Sequence, residues 1–323
     1  MVEDGEIPRL LDWIARDPTG LAETRVAQWA LFEGRTELAL RAYDRVPQES
    51  LYRDSARIEM ARILRDSGAE DVQTYKRIGE LLDPVIERIS FRAEDPAAAV
   101  RMKLEIIDLW ARVKLSAGEA ISVLDRLYGL FGRERQTILD RFQPSQADRI
   151  HLLRGLALSR IGSLEDSLAE FTALSPQMES EAVFHRARVH FWQEDYENAQ
   201  PLFEDIVTNP AAWRFANDGL RYLSFLNRLD LPSLRLLSRA TFLVWQGRAD
   251  DAVPVFRDLT VREYGGDLAE WARYMIGKTL WDDGDKERAI AEWQRLSQEG
   301  DYGWLRTRLR WEMVAGRPLS ATE

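Results

Sequence analysis

The sequence predicts an all-α chain, a solenoid of antiparallel helix pairs. Three observations lead there. Apolar residues recur at the 3.6-residue helical period almost throughout. No region alternates apolar and polar residues with period two for long enough to build a sheet. Most telling, five segments repeat one pattern of apolar helix, polar turn and amphipathic helix.

The five segments are 26–46, 154–174, 186–206, 239–259 and 276–296. Each places a small residue in its first helix: Ala27, Gly155, Ala187, Ala240 and Gly277. Seven residues on comes the turn, at Gly34, Gly162, Glu194, Gly247 and Gly284. Five further on is a second small residue, Ala39, Ser167, Ala199, Ala252 or Ala289, and four beyond it an aromatic, Tyr43, Phe171, Phe203, Phe256 or Trp293. Small side chains let two helices approach closely, and the aromatic fills the space that remains. Glycine ends the first helix because a left-handed cap costs it little. Pro176 and Pro210 follow second helices, where a proline stops helix growth. One such hairpin cannot bury its apolar face alone, so the units must stack.

These residues resemble the tetratricopeptide repeat family, over about 148–298 and again over 20–47. Between about 50 and 146 the helical period persists but the small-residue code is lost. The expected organisation is therefore an irregular helical part, 1–146, holding one repeat-like unit at 20–47, followed by a repeat solenoid, 147–323. An inserted helix is expected near 211–229, before the punctuation of Asp230, Leu231 and Pro232, and a C-terminal capping helix over YGWLRTRLRWEMV. A brief stop in helical signals places a joint near 143–148. The resemblance implies a right-handed superhelix whose first helices line a concave groove. Carried over by repeat position, that groove presents Arg160, Arg188, Trp192, Trp245, Lys278 and Trp281, with Phe184 and Tyr274 one turn earlier on the same face. Arginine and aromatic side chains are common anchors of protein interfaces, and eight of the eleven tryptophans lie from residue 192 onward. The competing reading packs these tryptophans between helices, and one ring can serve both ends. The family's clamp for a C-terminal carboxylate uses lysine and asparagine; the matching positions here hold Gln28, Leu156, Arg188, Thr241 and Lys278, which do not fit a chaperone tail.

Composition narrows the function classes. The 323 residues carry a net charge of −10, which repels a phosphate backbone and speaks against nucleic acid as partner. There is no cysteine, which excludes disulfides, thiolate metal sites and cysteine nucleophiles. No apolar run reaches the roughly 18–20 residues needed to span a bilayer. The first residues, MVEDGEIPRLLDW, lack the basic and apolar regions of a signal peptide. A native start at Met1 implies a cytoplasmic protein, and a trimmed start implies a periplasmic or membrane-anchored ectodomain.

Candidate chemistry fails on spacing. Gly277-Lys278-Thr279 imitates the end of a phosphate-binding loop, but Ala272 stands where the loop's first glycine is required, and the tripeptide falls inside a helix. His185 and His190 are five apart, off a shared helix face, and His151 stands alone; His190 reads as a core histidine. Asp282, Asp283 and Asp285 lack the alternating spacing of a calcium loop, and Asp285 reads as the cap of the next helix. No catalytic, cofactor-binding or metal-binding residue is nominated, and no enzyme activity is expected. The sequence therefore points to a non-enzymatic scaffold or adaptor that binds a protein or peptide partner within a bacterial multiprotein assembly. The alternative is a regulatory sensor that binds a peptide or small ligand in the same groove. Self-association is left open.

Overall fold

A computed structural model describes residues 18–68, 72–92, 94–132, 142–263 and 267–299. Every regular element among them is helical, with no strand. The chain divides into two compact units, Met1–Ala117 and Gly118–Glu323. The expected C-terminal capping helix lies outside the described residues. No described helix is long and apolar enough to cross a membrane.

The first unit contains α1 (Leu21–Phe32), α2 (Thr36–Asp44), α3 (Arg53–Asp66), α4 (Val72–Arg88) and α5 (Ala97–Ser116), each packed on the next. Its repeat-like hairpin, α1 and α2, buries Ala27, Ala39, Ala42 and Tyr43 against Ala56 and Met60 of α3. Arg53, at the start of α3, is buried and donates to the carbonyls of Asp44 at 3.0 Å and Val46 at 2.8 Å. It thereby supplies donors and positive charge where α2 leaves carbonyls unpaired. The longer helices that follow hold a polar group of their own. Asp83 accepts from Trp110 Nε1 at 2.8 Å and pairs with the buried Lys114 at 2.9 Å. Gly79 leaves room for the Lys114 stem, whose Cε would lie 3.0 Å from a Cβ at that position.

The second unit contains α6 (Ala120–Phe131), α7 (Pro144–Ile161), α8 (Leu164–Thr172), α9 (Glu179–Trp192), α10 (Tyr196–Thr208), α11 (Trp213–Arg228), α12 (Leu231–Trp245), α13 (Ala249–Arg262), α14 (Asp267–Asp282) and α15 (Lys286–Glu299). Consecutive helices pack on one another from α6 to α11 and from α12 to α15. The stretch read as a joint near 143–148 instead opens α7: Pro144 takes the first helical position, and Gln143 and Gln146 form a reciprocal cap. A helix, α11, occupies the stretch where an insertion was expected, and α12 packs against α9.

The repeat code is visible atom by atom. Ala187 and Ala240 are fully buried, as are the rings of Phe203 and Phe256 on the following helices. At Gly155 an added Cβ would sit 2.5 Å from the Phe171 ring, and at Gly277 it would collide with Trp293. Ser167 closes the same hairpin by donating to the Gly155 carbonyl at 2.8 Å. The five turns share one geometry. The amides of Arg35, Ser163, Asp195, Arg248 and Asp285 reach back to the carbonyls of Ala30, Leu158, His190, Leu243 and Leu280, at 2.8–3.0 Å. This back-bonding across a left-handed residue terminates a helix while satisfying its last carbonyls. Four of the five turns place glycine in that conformation; Glu194, at φ 59°, is the one described non-glycine residue there.

Two predictions follow from the hairpin geometry. Gly277→Ala should destabilise the second unit by about 1–3 kcal/mol through overpacking against Trp293, whereas Glu194→Gly should add about 0.5–1 kcal/mol, relief of left-handed strain outweighing the lost surface pair with Arg235. Urea titrations of the two variants check both signs. The third concerns pH. The Asp230 carboxylate caps α12, and its hydrogen bonds from Arg262 and then Ser233 hold it well below the usual carboxylate range. A carboxyl depressed on folding stabilises above its unfolded pKa of about 3.9 and loses that contribution as pH falls. Thermal melts of Asp230→Asn should therefore show a smaller loss between about pH 5 and pH 2 than the parent protein.

Candidate partner-binding site

The C-terminal end of α7 carries Ser159 and Arg160. Helix α9 carries Phe184, Arg188 and Trp192, spaced four apart and therefore on one face. Helix α12 ends in Phe242 and Trp245. The packing of α12 on α9 stacks Trp192 and Trp245, with ring centroids 5.6 Å apart and planes at 28°. Phe242 meets Trp192 at 5.3 Å. Trp245 Nε1 donates to Ser159 Oγ at 2.9 Å, which ties the ring to α7.

Both arginines lie on these rings. The Arg188 guanidinium is 4.5 Å from the Trp192 centroid and 4.3 Å from that of Trp245, and Arg160 is 4.4 Å from Trp245. Helix α11 adds a fourth element: Phe215 stacks on Phe184 at 4.5 Å, and Tyr222 lies close enough for the Arg188 charge to act on its hydroxyl. Burial, and then the neighbouring charge of Arg188, lower the Arg160 pKa to about 10, so the group stays charged at neutral pH. Burial raises the Tyr222 hydroxyl, against the pull of Arg188. Among the described residues neither guanidinium pairs with a carboxylate, and Arg160 Nε and Trp192 Nε1 are buried without a hydrogen-bond partner. Arg160, Arg188 and Trp245 keep part of their surface in solvent, while Phe184 and Trp192 are buried.

Five of the eight residues selected from the sequence thus come together: Arg160, Phe184, Arg188, Trp192 and Trp245. Tyr274, Lys278 and Trp281 form a separate group on α14. Tyr274 and Trp281 both stack on Trp293, at 6.1 and 5.6 Å, and Trp293 Nε1 donates to the Tyr274 carbonyl at 3.2 Å. Lys278 pairs with Asp282 at 2.8 Å, one turn along its own helix. Sequence reasoning missed Ser159, Phe215, Tyr222 and Phe242. The signal for two of them was available, since Phe215 and Tyr222 are seven apart and share a face of the inserted helix.

The other sequence features have structural settings. Gly277-Lys278-Thr279 lies within α14, whose Gly277 faces Trp293. Asp285 accepts from the Arg288 amide at 3.1 Å and so caps α15. His185 stacks on Phe171 at 4.9 Å, His151 Nδ1 lies 2.6 Å from Glu170, and His190 Nδ1 lies 2.9 Å from Asp195.

No protein-family model and no curated protein matches the chain. Among solved structures it is similar to a tetratricopeptide repeat protein from Parabacteroides merdae, at 12% identity and a TM-score of 0.44, covering 92% of this chain and 100% of that one.

Truncation should separate the members of the α14 group by their cost. Tyr274→Ala removes a buried ring and should cost about 3–5 kcal/mol. Lys278→Ala removes one helical surface pair and should change stability by less than about 0.5 kcal/mol. Denaturant midpoints at constant slope check both.

Proposed function

We propose that the chain is a non-enzymatic interaction scaffold, and that it takes hold of a protein partner across the face shared by α7, α9 and α12. The observation that carries this reading is the convergence of Arg160, Arg188 and Trp245. These three remain partly open to solvent: Arg188 lies on the buried rings of Phe184 and Trp192, Trp245 stacks on Trp192, and Arg160 lies on Trp245. Side chains of this kind dominate binding energy at interfaces because they bury large area at little entropic cost and arrive pre-oriented. The stacked rings and the Ser159 bond hold the surface in place before a partner arrives. The local positive charge contrasts with the net charge of −10 and favours an acidic partner segment over nucleic acid.

A peptide array probed with labelled protein tests the reading. Selective binding to a subset of peptides is expected, weakened at least about tenfold by Trp245→Ala, a change typical of a central aromatic anchor. Melting curves of the variant establish that the fold persists. Uniform background across the array, or selective binding indifferent to Trp245→Ala, would sink the assignment of this face.

A further inference from the structure

We propose that Arg160 and Arg188 form a site for a doubly charged oxyanion, specifically the phosphate group of a phosphate monoester. Two positive charges share one indole here. Both guanidinia stack on Trp245, Arg188 also covers Trp192, and among the described residues no carboxylate answers either of them. Acids on the surrounding helices are engaged elsewhere: Asp218 of α11 pairs with Arg221 at 3.2 Å, and Glu181 of α9 lies 3.5 Å from Arg214. Cation–π contact attracts each arginine but neutralises neither. One stacked arginine would suffice for packing. A second within electrostatic range costs stability; burial lowers the Arg160 pKa first, and the Arg188 charge lowers it further.

The missing partner is defined by charge and shape. A phosphate monoester carries about 1.5–2 negative charges near neutral pH and three acceptor oxygens. Guanidinium forks match such oxygens in bidentate fashion. The Arg160 Nε–H is a buried donor with no partner. A single carboxylate would balance only one of the two charges.

The source of the phosphate rests on the scaffold reading, whereas the site does not, and the experiment separates them. Calorimetry at fixed ionic strength would use inorganic phosphate, glycerol phosphate, a phosphoserine peptide, the same peptide unmodified, and the same peptide with glutamate. Inorganic phosphate should bind and chloride should not. Arg188→Gln and Arg160→Gln should each weaken phosphate binding by about tenfold or more, as expected for loss of a charge-assisted contact, while leaving the melting temperature equal or higher because repulsion is relieved. A phosphoserine peptide that outbinds glycerol phosphate places the group on a protein partner. The reverse order keeps the site and removes the scaffold reading. The proposal is overturned if phosphate binds no better than chloride, if both substitutions leave phosphate affinity unchanged, or if the glutamate peptide binds as tightly as the phosphopeptide. It is equally overturned if both substitutions lower the melting temperature without changing phosphate affinity, since the arginines would then serve packing alone.

Discussion

Each repeat hairpin closes where a small residue on its first helix lets an aromatic ring on its second reach the helix backbone. Gly155 and Gly277 show the constraint most sharply, because no β-carbon fits beneath Phe171 or Trp293. Close packing of this kind carries most of a solenoid's local stability, since each unit touches only its neighbours and has no distant core to lean on. The turns depend on the same closure. A helix must stop at a fixed distance from the small residue for the ring to arrive in register, and the left-handed residue with its back-bonded amide supplies that stop. Glu194 holds that conformation without glycine's freedom, and its carboxylate meets Arg235 at 2.9 Å.

Helix α11 departs from this regularity beside the Trp192–Trp245 cluster. It packs on α10, where the first helix of a following hairpin would be placed, and α12 packs against α9 instead. Trp192 and Trp245 occupy equivalent positions in their own repeats, and this arrangement brings the two rings face to face. Helix α11 also lends Phe215 to the same cluster, while Tyr222 packs on Phe191 and Phe203.

Charge is distributed in two ways. On the helix surfaces arginines and carboxylates pair one turn apart, as Arg41 with Glu37 and Arg112 with Asp108 do, and such pairs contribute little beyond solubility. At the Trp192–Trp245 stack the pairing rule is broken. Arg160 and Arg188 hold their charges against aromatic faces, within range of each other, in a protein whose overall charge is −10. Local departures from self-consistency of this sort concentrate where a molecule works on something outside itself.

The repeat hairpins were legible in the sequence because their packing is local. The spacing from Gly155 through Gly162 and Ser167 to Phe171 encodes a contact within one hairpin, and helical geometry converts that spacing directly into distance. The same holds for the inserted helix and for the Asp285 cap. What the sequence could not decide was which aromatic residues of equivalent rank would meet. Trp245 lies five residues past the small residue Ala240 and Trp281 four past Gly277; the first joins Arg160 and Arg188, and the second packs on Trp293. The meeting of Trp192 with Trp245 depends on the packing of α12 against α9, a long-range relation between elements that spacing within one hairpin does not carry. The chain alone fixed the helices and their pairing by short-range sterics, and the tertiary structure alone decided where two arginines would be left without a counter-charge.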